Sequence, residues 1–572
     1  MENTNKSFCF KLWNELAISP TGTITPCCLF EDVLKDDNNV AFKSWEHSLL
    51  DVWNSNSIKK IRQKMLNGES VIECRQCYIS EEHNGFSARL ETNTLANVLY
   101  SKPNLTVESD RSPISLDLKL NNKCNLACRM CQPKDSSRIE DEFSKVISEH
   151  PEFEYFDNAA MEDPFTNLSL SEIPDWPATE HFYNQYLQIL PNLESLNIAG
   201  GEPFLQDSFF KILQLAQDSG DAKHIRLKFT TNFTLFPAKK MFLFHEHFKQ
   251  TIYIISLDAI SDELSYIRYP SNWNKIKNNI LALSNYIKER GVDVSEGSKI
   301  RIRFSITVQV YNILSLTDVF DFIEDLLADN EFLSSDITYL SNLMFPTHLN
   351  IATLPNSLRS VSANKLKMFQ SSSIHMVKNS AFIDNVNKII SVLEHEVHPE
   401  SLFYQKQFAY YTSILDLSRG ESIQNSLPHI YNSYKEFFTH TVAEIDRTNY
   451  TNRKLGLFRS KGYMLASQNQ YDKAIEMFKQ AYILKKDQHL DLEQMAWMYN
   501  SIQMPEEALK CYIEAFEINS GSFIIARELG ATFTYIKNKD LHQAEKYLKI
   551  ALQLNPQDDT AKNLLDKVLS KI

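Results

Sequence analysis

The chain has 572 residues and a net charge of −13, with 43% hydrophobic and 23% charged residues. This length exceeds what one hydrophobic core organises, which favours several domains, and the composition excludes the disordered and fibrous classes of protein. The acidic balance speaks against sequence-independent nucleic-acid binding, because such binding needs a basic surface.

Targeting and membrane signals are not found in the sequence. The first residues lack the basic start and apolar run of a secretory signal, and no apolar run reaches the length of about 18 residues that predicts a spanning helix. We therefore expect a cytoplasmic protein without a membrane partner. Thiols stay reduced in that compartment, so clustered cysteines indicate a metal or redox site and not disulfides.

Cysteines are concentrated near the start of the chain. Eight of the nine lie within the first 131 residues, and only Cys511 lies beyond them. Residues 1–105 form an irregular, cysteine-rich segment in which residues 20–28 (PTGTITPCC) predict a hairpin and residues 50–67 predict a helix ending at Gly68. The cysteines of this segment are Cys9, Cys27, Cys28, Cys74 and Cys77.

Strand and helix patterns alternate over residues 110–355. Alternating strands and helices predict an α/β fold with a parallel sheet. A long segment at 136–190 separates the first two strands and is predicted to be an insertion with its own helices. The six predicted strands are 114–120, 194–200, 225–232, 251–259, 299–310 and 348–354.

The rest of the chain is predicted to be helical. Residues 356–450 have weak boundaries and are interpreted as a connector. Residues 451–572 repeat with a period near 34 residues and resemble tetratricopeptide repeats, an α-solenoid; a generic helical bundle is the alternative. Small residues recur in register at Ala474/Ala481, Ala508/Ala515 and Ala544/Ala551 and, earlier in each unit, at Gly462, Ala496 and Gly530, while Tyr471, Pro505 and Leu541 begin the second helices.

The segment LNNKCNLACRMCQPK (120–134) carries the most specific motif. Its cysteines, Cys124, Cys128 and Cys131, follow a C-x3-C-x2-C spacing directly after a predicted strand. Three thiolates hold three irons of a cubane and leave the fourth iron open, whereas structural zinc normally takes four protein ligands. The motif therefore predicts a [4Fe–4S] cluster with one open position.

This spacing resembles that of the radical SAM superfamily, and the resemblance covers about residues 110–355. Gly200-Gly201-Glu202-Pro203 follows the second predicted strand, like the family's GGEP motif. The resemblance implies a partial (β/α)6 TIM-like barrel. It also implies an S-adenosylmethionine pocket formed by Met130, Gly200, Gly201, Glu202, Thr231, Asn232, Ser256, Arg268 and Leu349.

Each part of this pocket has an expected role. Carbonyls of the glycine motif and Glu202 are acceptors for the methionine ammonium group, and Arg268 is expected to pair with the methionine carboxylate. Asp258 is either a substrate contact or a polar residue at a strand end, and Gln309 is a possible polar contact. The family usually has an aromatic residue before the third cysteine; here Met130 occupies that place.

The implied chemistry is reductive cleavage of S-adenosylmethionine at the cluster. The resulting 5′-deoxyadenosyl radical abstracts hydrogen from a substrate, while the protein positions the cofactor and excludes water. An electron donor is implied as a partner.

The N-terminal cysteines resemble the SPASM and twitch modules that hold auxiliary [4Fe–4S] clusters, although those modules usually follow the barrel. One auxiliary cluster is expected, with Cys9, Cys27, Cys74 and Cys77 as ligands and Cys28 as a spare. A structural zinc site is the alternative, since four thiolates suit zinc equally well.

Three functions follow from these resemblances. Auxiliary clusters and peptide-binding repeats favour an enzyme that acts on a peptide or protein. The alternatives are an enzyme acting on a small molecule such as a sugar or nucleotide intermediate, and a non-enzymatic scaffold that carries a cluster. Retention of GGEP and Arg268 argues against the scaffold, because a scaffold needs no methionine pocket.

Overall fold

A computed structural model describes residues 7–84, 87–99, 105–109, 111–156, 159, 161, 170–289, 299–330, 333, 337–438 and 455–572, the last range without 457, 460, 464, 467–468, 487–488 and 537–539. The chain forms two compact units, Met1–Asp36 with Ala41–Ile445, and Asp37–Val40 with Asp446–Ile572. Within the described residues, no helix combines the length and apolarity needed to cross a bilayer.

The first unit is an α/β structure built on a mostly parallel sheet. Its eight strands lie in the order β10-β9-β7-β6-β5-β3-β1-β2, and only β2, at one edge, is antiparallel to its neighbour. A separate antiparallel pair is formed by β4 and β8. The strands are β1 (Glu15–Ile18), β2 (Ile24–Thr25), β3 (Ser115–Lys119), β4 (Ala127–Cys128), β5 (Ser195–Ala199), β6 (Arg226–Thr231), β7 (Gln250–Ser256), β8 (Arg268–Tyr269), β9 (Ile300–Val308) and β10 (Thr338–Asn342).

Seventeen α-helices accompany these strands in the described part of the first unit. They are α1 (Lys11–Asn14), α2 (Leu49–Trp53), α3 (Asn56–Leu66), α4 (Arg75–Asn84), α5 (Ala88–Leu99), α6 (Ser137–Glu149), α7 (Glu180–Ile189), α8 (Asp207–Asp218), α9 (Ala238–His245), α10 (Ser261–Ile267), α11 (Trp273–Glu289), α12 (Leu316–Asp329), α13 (Asn356–Ser372), α14 (Ser380–His395), α15 (Ser401–Arg419), α16 (Ile423–Ser426) and α17 (Pro428–Phe438).

The two faces of the sheet differ in polarity. Alternate strand residues such as Leu118, Ile198 and Phe229 are buried in one large hydrophobic core, which they share with the helices. The residues between them are half-buried and mostly polar. Successive strand side chains point to opposite faces, so this pattern separates an apolar helix-covered face from a polar one.

The predicted hairpin at 20–28 is confirmed, whereas the predicted helix over 50–67 is two helices. The strands β1 and β2 pair antiparallel around Gly22. α2 ends before Asn54, and the side chain of Ser55 accepts a hydrogen bond from the backbone of Ile58, which starts α3 afresh. Serine caps of this kind satisfy the first unpaired N–H groups of a helix. The predicted stop is right, since Gly68 has a positive φ of 80°.

Five of the six predicted core strands are confirmed as β3, β5, β6, β7 and β9, and the sixth is wrong. Residues 348–354 form two 3₁₀ turns, Thr347–Leu349 and Ile351–Thr353. The side chain of Asn350 accepts a hydrogen bond from the backbone of Ala352 and so starts the second turn. Side-chain bonds of this kind compete with strand pairing. The strand that follows β9 along the chain and pairs with it in parallel is instead β10.

The second unit is a stack of paired helices. The Ala pairs of the repeat are fully buried, and Tyr471, Pro505 and Leu541 are the first residues of their helices, as predicted. A Cβ on Gly530 would lie 2.6 Å from Leu548 Cγ, so a glycine is needed for this close approach. The helices are α18 (Tyr471–Leu484), α19 (His489–Ser501), α20 (Pro505–Ile518), α21 (Phe523–Tyr535), α22 (Leu541–Leu554) and α23 (Asp559–Leu569).

Candidate active site

The three-cysteine loop lies at the carboxyl end of β3. Cys128 is buried and belongs to β4, whose pairing with β8 sets it opposite Arg268. The backbone N–H of Cys131 donates to the carbonyl of Cys128 at 3.0 Å, and their thiols are hydrogen-bonded to each other. Cys124 is half-buried, and burial, together with the charge of Cys128, raises the pKa of its thiol. The loop thus holds its three cysteines next to one another at the carboxyl end of β3.

Hydrogen-bond donors surround these sulfurs. The backbone N–H of Leu126 lies 3.5 Å from Cys124 Sγ, the Asn232 amide lies 3.9 Å from it, and Arg268 Nη1 lies 3.8 Å from Cys128 Sγ. Hydrogen bonds to ligand sulfurs tune iron–sulfur clusters, so the donor set fits such a cluster. In the described part of the chain, no group of three or more His, Cys, Asp or Glu is spaced to hold a metal ion.

The pKa values of the three thiols are shifted in different directions. Burial raises the pKa of the Cys124 thiol to about 12. A hydrogen bond from Cys131 lowers the pKa of Cys128, and the same bond together with burial raises the pKa of Cys131. Metals bind thiolates, so loading this loop must release protons.

The glycine pair after β5 is fastened to the cysteine loop. Gly200 and Gly201 have positive φ angles of 86° and 53°, and a Cβ on Gly201 would lie 2.2 Å from the carbonyl oxygen of Lys123. The next backbone N–H, that of Glu202, donates to this same oxygen at 2.8 Å. Only glycine lets the two backbones approach so closely. This contact fixes the GGEP turn against the cluster loop.

Glu202 is a fully buried carboxylate held by the end of β6. Its Oε1 accepts from the Thr231 hydroxyl at 2.7 Å, and its Oε2 accepts from the Asn232 backbone N–H at 2.7 Å. The N–H of Phe204 also donates to Oε1, at 3.2 Å. Burial raises the pKa of Glu202 to about 7, although these hydrogen bonds oppose the shift. The carboxyl therefore titrates near neutrality.

Asn232 links this carboxylate to the cluster loop. Its backbone donates to Glu202, while its side-chain amide donates to Asn125 Oδ1 at 3.0 Å and lies next to Cys124 Sγ. Asn125 in turn donates to the Thr234 hydroxyl at 2.7 Å. The structure thus brings Glu202, Thr231 and Asn232 together with Cys124.

Arg268 is paired with a residue whose role the sequence left open. Both Nε and Nη2 of Arg268 lie 2.7 Å from Asp258 Oδ2, and the other Asp258 oxygen accepts from the Thr307 backbone at 2.8 Å. Burial alone would lower the pKa of Arg268, but Asp258 and the Cys128 thiolate raise it above its usual range. Asp258 is therefore the counter-charge that holds Arg268 beside Cys128.

The remaining expected pocket residues lie near the same strand ends. Met130 is half-buried against the main core, and Ser256 is the half-buried last residue of β7. Leu349 is fully buried, with its carbonyl accepting from Val310 at 3.0 Å. Gln309 is fully buried, and its side-chain oxygen has no hydrogen-bond partner among the described residues.

The five N-terminal cysteines are linked by pairwise interactions. Cys9 is packed with Cys74, and the charge of Cys77 acts on Cys74. The charges of Cys28 and, more weakly, of Cys9 act on Cys27. The thiol of Cys28 is also hydrogen-bonded to Asp117 on β3.

Arg129 is a buried residue of the three-cysteine loop whose side chain anchors the loop to the rest of the protein. The sequence did not predict this role. Its guanidinium is fully buried, stacks on Tyr266 at 3.7 Å and donates to Asp416 and Glu421 at 2.6 and 2.8 Å. The Tyr411 hydroxyl donates to the Arg129 carbonyl at 2.7 Å. Because Tyr411 and Asp416 belong to α15, this helix clamps the loop. An arginine between Cys128 and Cys131 was the available signal.

Comparisons with known proteins agree with the resemblances stated above. The model of the radical SAM superfamily matches residues 118–302, that of the SPASM iron–sulfur cluster-binding domain matches 9–78, and that of the tetratricopeptide repeat matches 533–558. The SPASM match spans all five N-terminal cysteines. A comparison with curated proteins gave no match.

Among solved structures, tetratricopeptide domains are similar to part of the chain. The second such domain of human RPAP3, in complex with an HSP70 peptide, is 21% identical and covers 21% of this chain and 98% of its own, with a TM-score of 0.20. The corresponding domain of Arabidopsis OM64 is 18% identical and covers 21% and 99%, with a TM-score of 0.20.

The matched models and the geometry at the strand ends point to one kind of protein. The suspected composition, a radical SAM part with SPASM and tetratricopeptide parts, is confirmed. Residues 118–302 form a radical SAM domain, which identifies an enzyme of unassigned reaction and implies iron–sulfur clusters and S-adenosylmethionine as its cofactors.

Proposed function

We propose that Cys124, Cys128 and Cys131 hold a [4Fe–4S] cluster beside which S-adenosylmethionine binds. The observation that carries this proposal is the contact of the GGEP turn with the cysteine loop, through Glu202 N–H and the Lys123 carbonyl. When bound, the cluster and cofactor supply a 5′-deoxyadenosyl radical that abstracts hydrogen from a substrate. Met130, Gly200, Gly201, Thr231, Ser256 and Leu349 complete the proposed pocket.

The chain's own residues orient the cofactor in this proposal. An ionised carboxylate oxygen accepts about two hydrogen bonds, so Oε2 of Glu202, which takes one from Asn232, keeps capacity for an ammonium group. Arg268 uses Nε and Nη2 for Asp258, which leaves Nη1, beside Cys128, to face a carboxylate.

We also propose that the consecutive parallel strands β3, β5, β6, β7, β9 and β10 curve into a partial barrel around this pocket. Their sequential order in the sheet supports this arrangement, since each strand pairs with the next along the chain. The four-part division into 1–105, 110–355, 356–450 and 451–572 stays part of the proposal.

For the N-terminal segment we propose one auxiliary [4Fe–4S] cluster on Cys9, Cys27, Cys74 and Cys77. The contact of Cys9 with Cys74, the effect of the Cys77 charge on Cys74 and the hydrogen bond that engages Cys28 with Asp117 support this ligand set. Zinc is the alternative occupant of the same four thiolates.

We propose a peptide or protein as substrate. The combination of a SPASM domain with tetratricopeptide repeats supports a polypeptide partner, which the repeats would recruit. An external electron donor completes the system. A small molecule is the other outcome of the test below.

Formation of 5′-deoxyadenosine tests this function. The full chain is reconstituted anaerobically, reduced with dithionite and given S-adenosylmethionine, and we expect 5′-deoxyadenosine to form. The variant with Cys124, Cys128 and Cys131 all replaced by Ala is the control and should give none. An intact cluster without product would refute the proposal. Deuterium transfer into 5′-deoxyadenosine from deuterated peptides, compared with deuterated sugars and nucleotides, identifies the substrate class.

A further inference from the structure

The polar face of the sheet is rich in basic side chains. Lys228 on β6 and Arg301 and Arg303 on β9 lie on this face, because each alternates with residues buried in the core. Lys119, the last residue of β3, lies on it as well. We call the half-buried residues Asp117, Lys119, Asn197, Lys228, Thr230, Arg301, Arg303 and Ser305 the inner face.

Strand register places these residues in rows. Asp117 is the Cα partner of Asn197, which is in turn the partner of Lys228. The buried Ile252 of β7 follows in this row and separates Lys228 from Arg301, the last member, by one strand. Neighbouring positions in a parallel sheet point to the same side. The inner face is therefore one surface that crosses the five strands β3, β5, β6, β7 and β9 and ends at the candidate active site.

Cations outnumber carboxylates on and beside this surface. Lys11 of the N-terminal segment reaches it but is ion-paired with Glu15 at 2.6 Å. Asp117 is the one carboxylate among the named inner-face residues, and its hydrogen bond is with Cys28. Glu15 of β1 lies on the same side of the sheet and is the carboxylate that pairs with Lys11. The whole chain carries a charge of −13, so a basic surface at this place runs against the overall composition.

Lys228 is the centre of this surplus. Its ammonium group has no hydrogen-bond or ion-pair partner among the described residues. Burial lowers its pKa, and Arg303, Arg226 and Lys11 lower it further, while Glu15 opposes the shift. Half-buried cations repel one another, and a bound anion removes this repulsion.

The position of Lys228 suits a substrate contact. It precedes Thr231 by three residues on β6, which is roughly 10 Å along a strand. Thr231 is hydrogen-bonded to Glu202 of the proposed cofactor pocket. A substrate anchored at Lys228 thus spans the distance from the inner face to the strand ends.

We propose that the inner face binds an anionic group of the substrate, a carboxylate or a phosphate, with Lys228 and Arg301 as its main contacts. This inference rests on the proposed function, since it assigns the substrate class for the same site. A carboxylate belongs to an acidic peptide or organic acid, and a phosphate to a phosphorylated substrate.

Anion titration of the full reconstituted protein tests the inference. With saturating S-adenosylmethionine present, inorganic phosphate and glutarate are titrated separately by calorimetry into the wild type, Lys228→Gln, Arg301→Gln and, as control, Lys211→Gln, an exposed lysine on α8. We expect at least one anion to bind the wild type and the control, and to bind Lys228→Gln and Arg301→Gln about tenfold more weakly. The tighter anion identifies the group.

Two results would overturn the inference: neither anion binds the wild type, or both inner-face variants bind as the wild type does. If Lys228→Gln does not retain its iron, Arg301→Gln carries the comparison alone. Formation of 5′-deoxyadenosine by the wild type and by Lys211→Gln is measured separately. Its absence refutes the proposed function, whatever the anions do.

Discussion

Arg268 and Asp258 form a buried ion pair in which Nε and Nη2 both lie 2.7 Å from one carboxylate oxygen. Asp258→Asn leaves the guanidinium without its counter-charge, and removing one partner of a buried pair costs about 3–5 kcal/mol. We expect a clearly lower melting temperature and weaker S-adenosylmethionine binding, measured by thermal unfolding and calorimetry. Asp262→Asn, at an exposed position on α10, is the control. An unchanged affinity in Asp258→Asn would contradict a positioning role.

The glycine motif allows a matched pair of variants. Gly201 and Gly220 both have positive φ, but a Cβ on Gly201 meets the Lys123 carbonyl at 2.2 Å, whereas one on Gly220 meets nothing within 4 Å. Gly201→Ala should lose iron and at least about tenfold in 5′-deoxyadenosine formation, because the turn must leave the cluster loop. Gly220→Ala carries only the backbone strain, about 1 kcal/mol, and should stay active. Equal activities of Gly201→Ala and Gly220→Ala would show that the contact with the Lys123 carbonyl has no effect beyond the backbone strain that both variants share.

Cofactor affinity should depend on pH through Glu202. Burial raises its pKa to about 7, so the carboxyl is protonated below that pH and ionised above it. Only the ionised form pairs with an ammonium group, so the Kd for S-adenosylmethionine should rise as the pH falls through 7, by up to about tenfold per unit. Anaerobic calorimetry at pH 6, 7 and 8 measures this dependence.

The stability of the folded protein should change with pH in the opposite direction to the cofactor affinity. The folded pKa of Glu202 is raised, so the cofactor-free protein loses stability as the pH rises from 4.5 towards 7. Glu202→Gln does not titrate and should abolish both dependences. A Kd that stays constant from pH 6 to 8 in the wild type would exclude Glu202 as the ammonium acceptor.

The clamp on the cluster loop should be needed for iron retention. Arg129→Met removes the charge that pairs with Asp416 and Glu421 and leaves two carboxylates facing each other, so we expect a loss of about 3 kcal/mol and a reduced iron content. Arg138→Met, an exposed arginine on α6, should retain wild-type iron and stability. Full iron content in Arg129→Met would mean that the loop needs no support from α15.

The N-terminal ligand set is tested in the background that lacks Cys124, Cys128 and Cys131. In that background Cys28→Ser should keep the auxiliary iron, because this thiol is directed towards Asp117, and Cys27→Ser should lose it. Iron, sulfide and zinc analyses measure the outcome. If zinc is found and sulfide is not, the N-terminal cysteines form a zinc site and not an auxiliary cluster. If both variants lose their metal, Cys28 is a ligand.

Elements with a regular pattern could be predicted from the sequence. The strands β3, β5, β6, β7 and β9 alternate or run apolar between turn signals, and the buried alanines of the repeats recur at fixed intervals. The strand prediction for residues 348–354 was wrong because a short apolar run does not distinguish a strand from buried turns. The hydrogen bond of the Asn350 side chain, which starts the second turn, is a local effect that the apolar pattern does not show.

In the candidate site, too, local motifs could be predicted from the sequence and contacts between distant residues could not. Cysteine spacing and the GGEP motif are local, so the sequence could reveal them. The ion pair of Asp258 and the clamp of Arg129 join residues 10 and 287 positions apart, and their contacts exist only once the strands and α15 have packed. The position of Arg129 between Cys128 and Cys131 is visible in the sequence, but its partners on α15 are not.

The strand β1 has a consequence for how the protein can be divided. All four of its residues are buried, and it pairs in parallel with β3 over four positions. A fragment that begins after residue 105 would leave the edge of β3 open, and an open hydrophobic edge invites pairing with another chain. The cysteine-rich segment is thus structurally a strand donor to the catalytic sheet, and a shortened enzyme is expected to aggregate before its chemistry can be assayed.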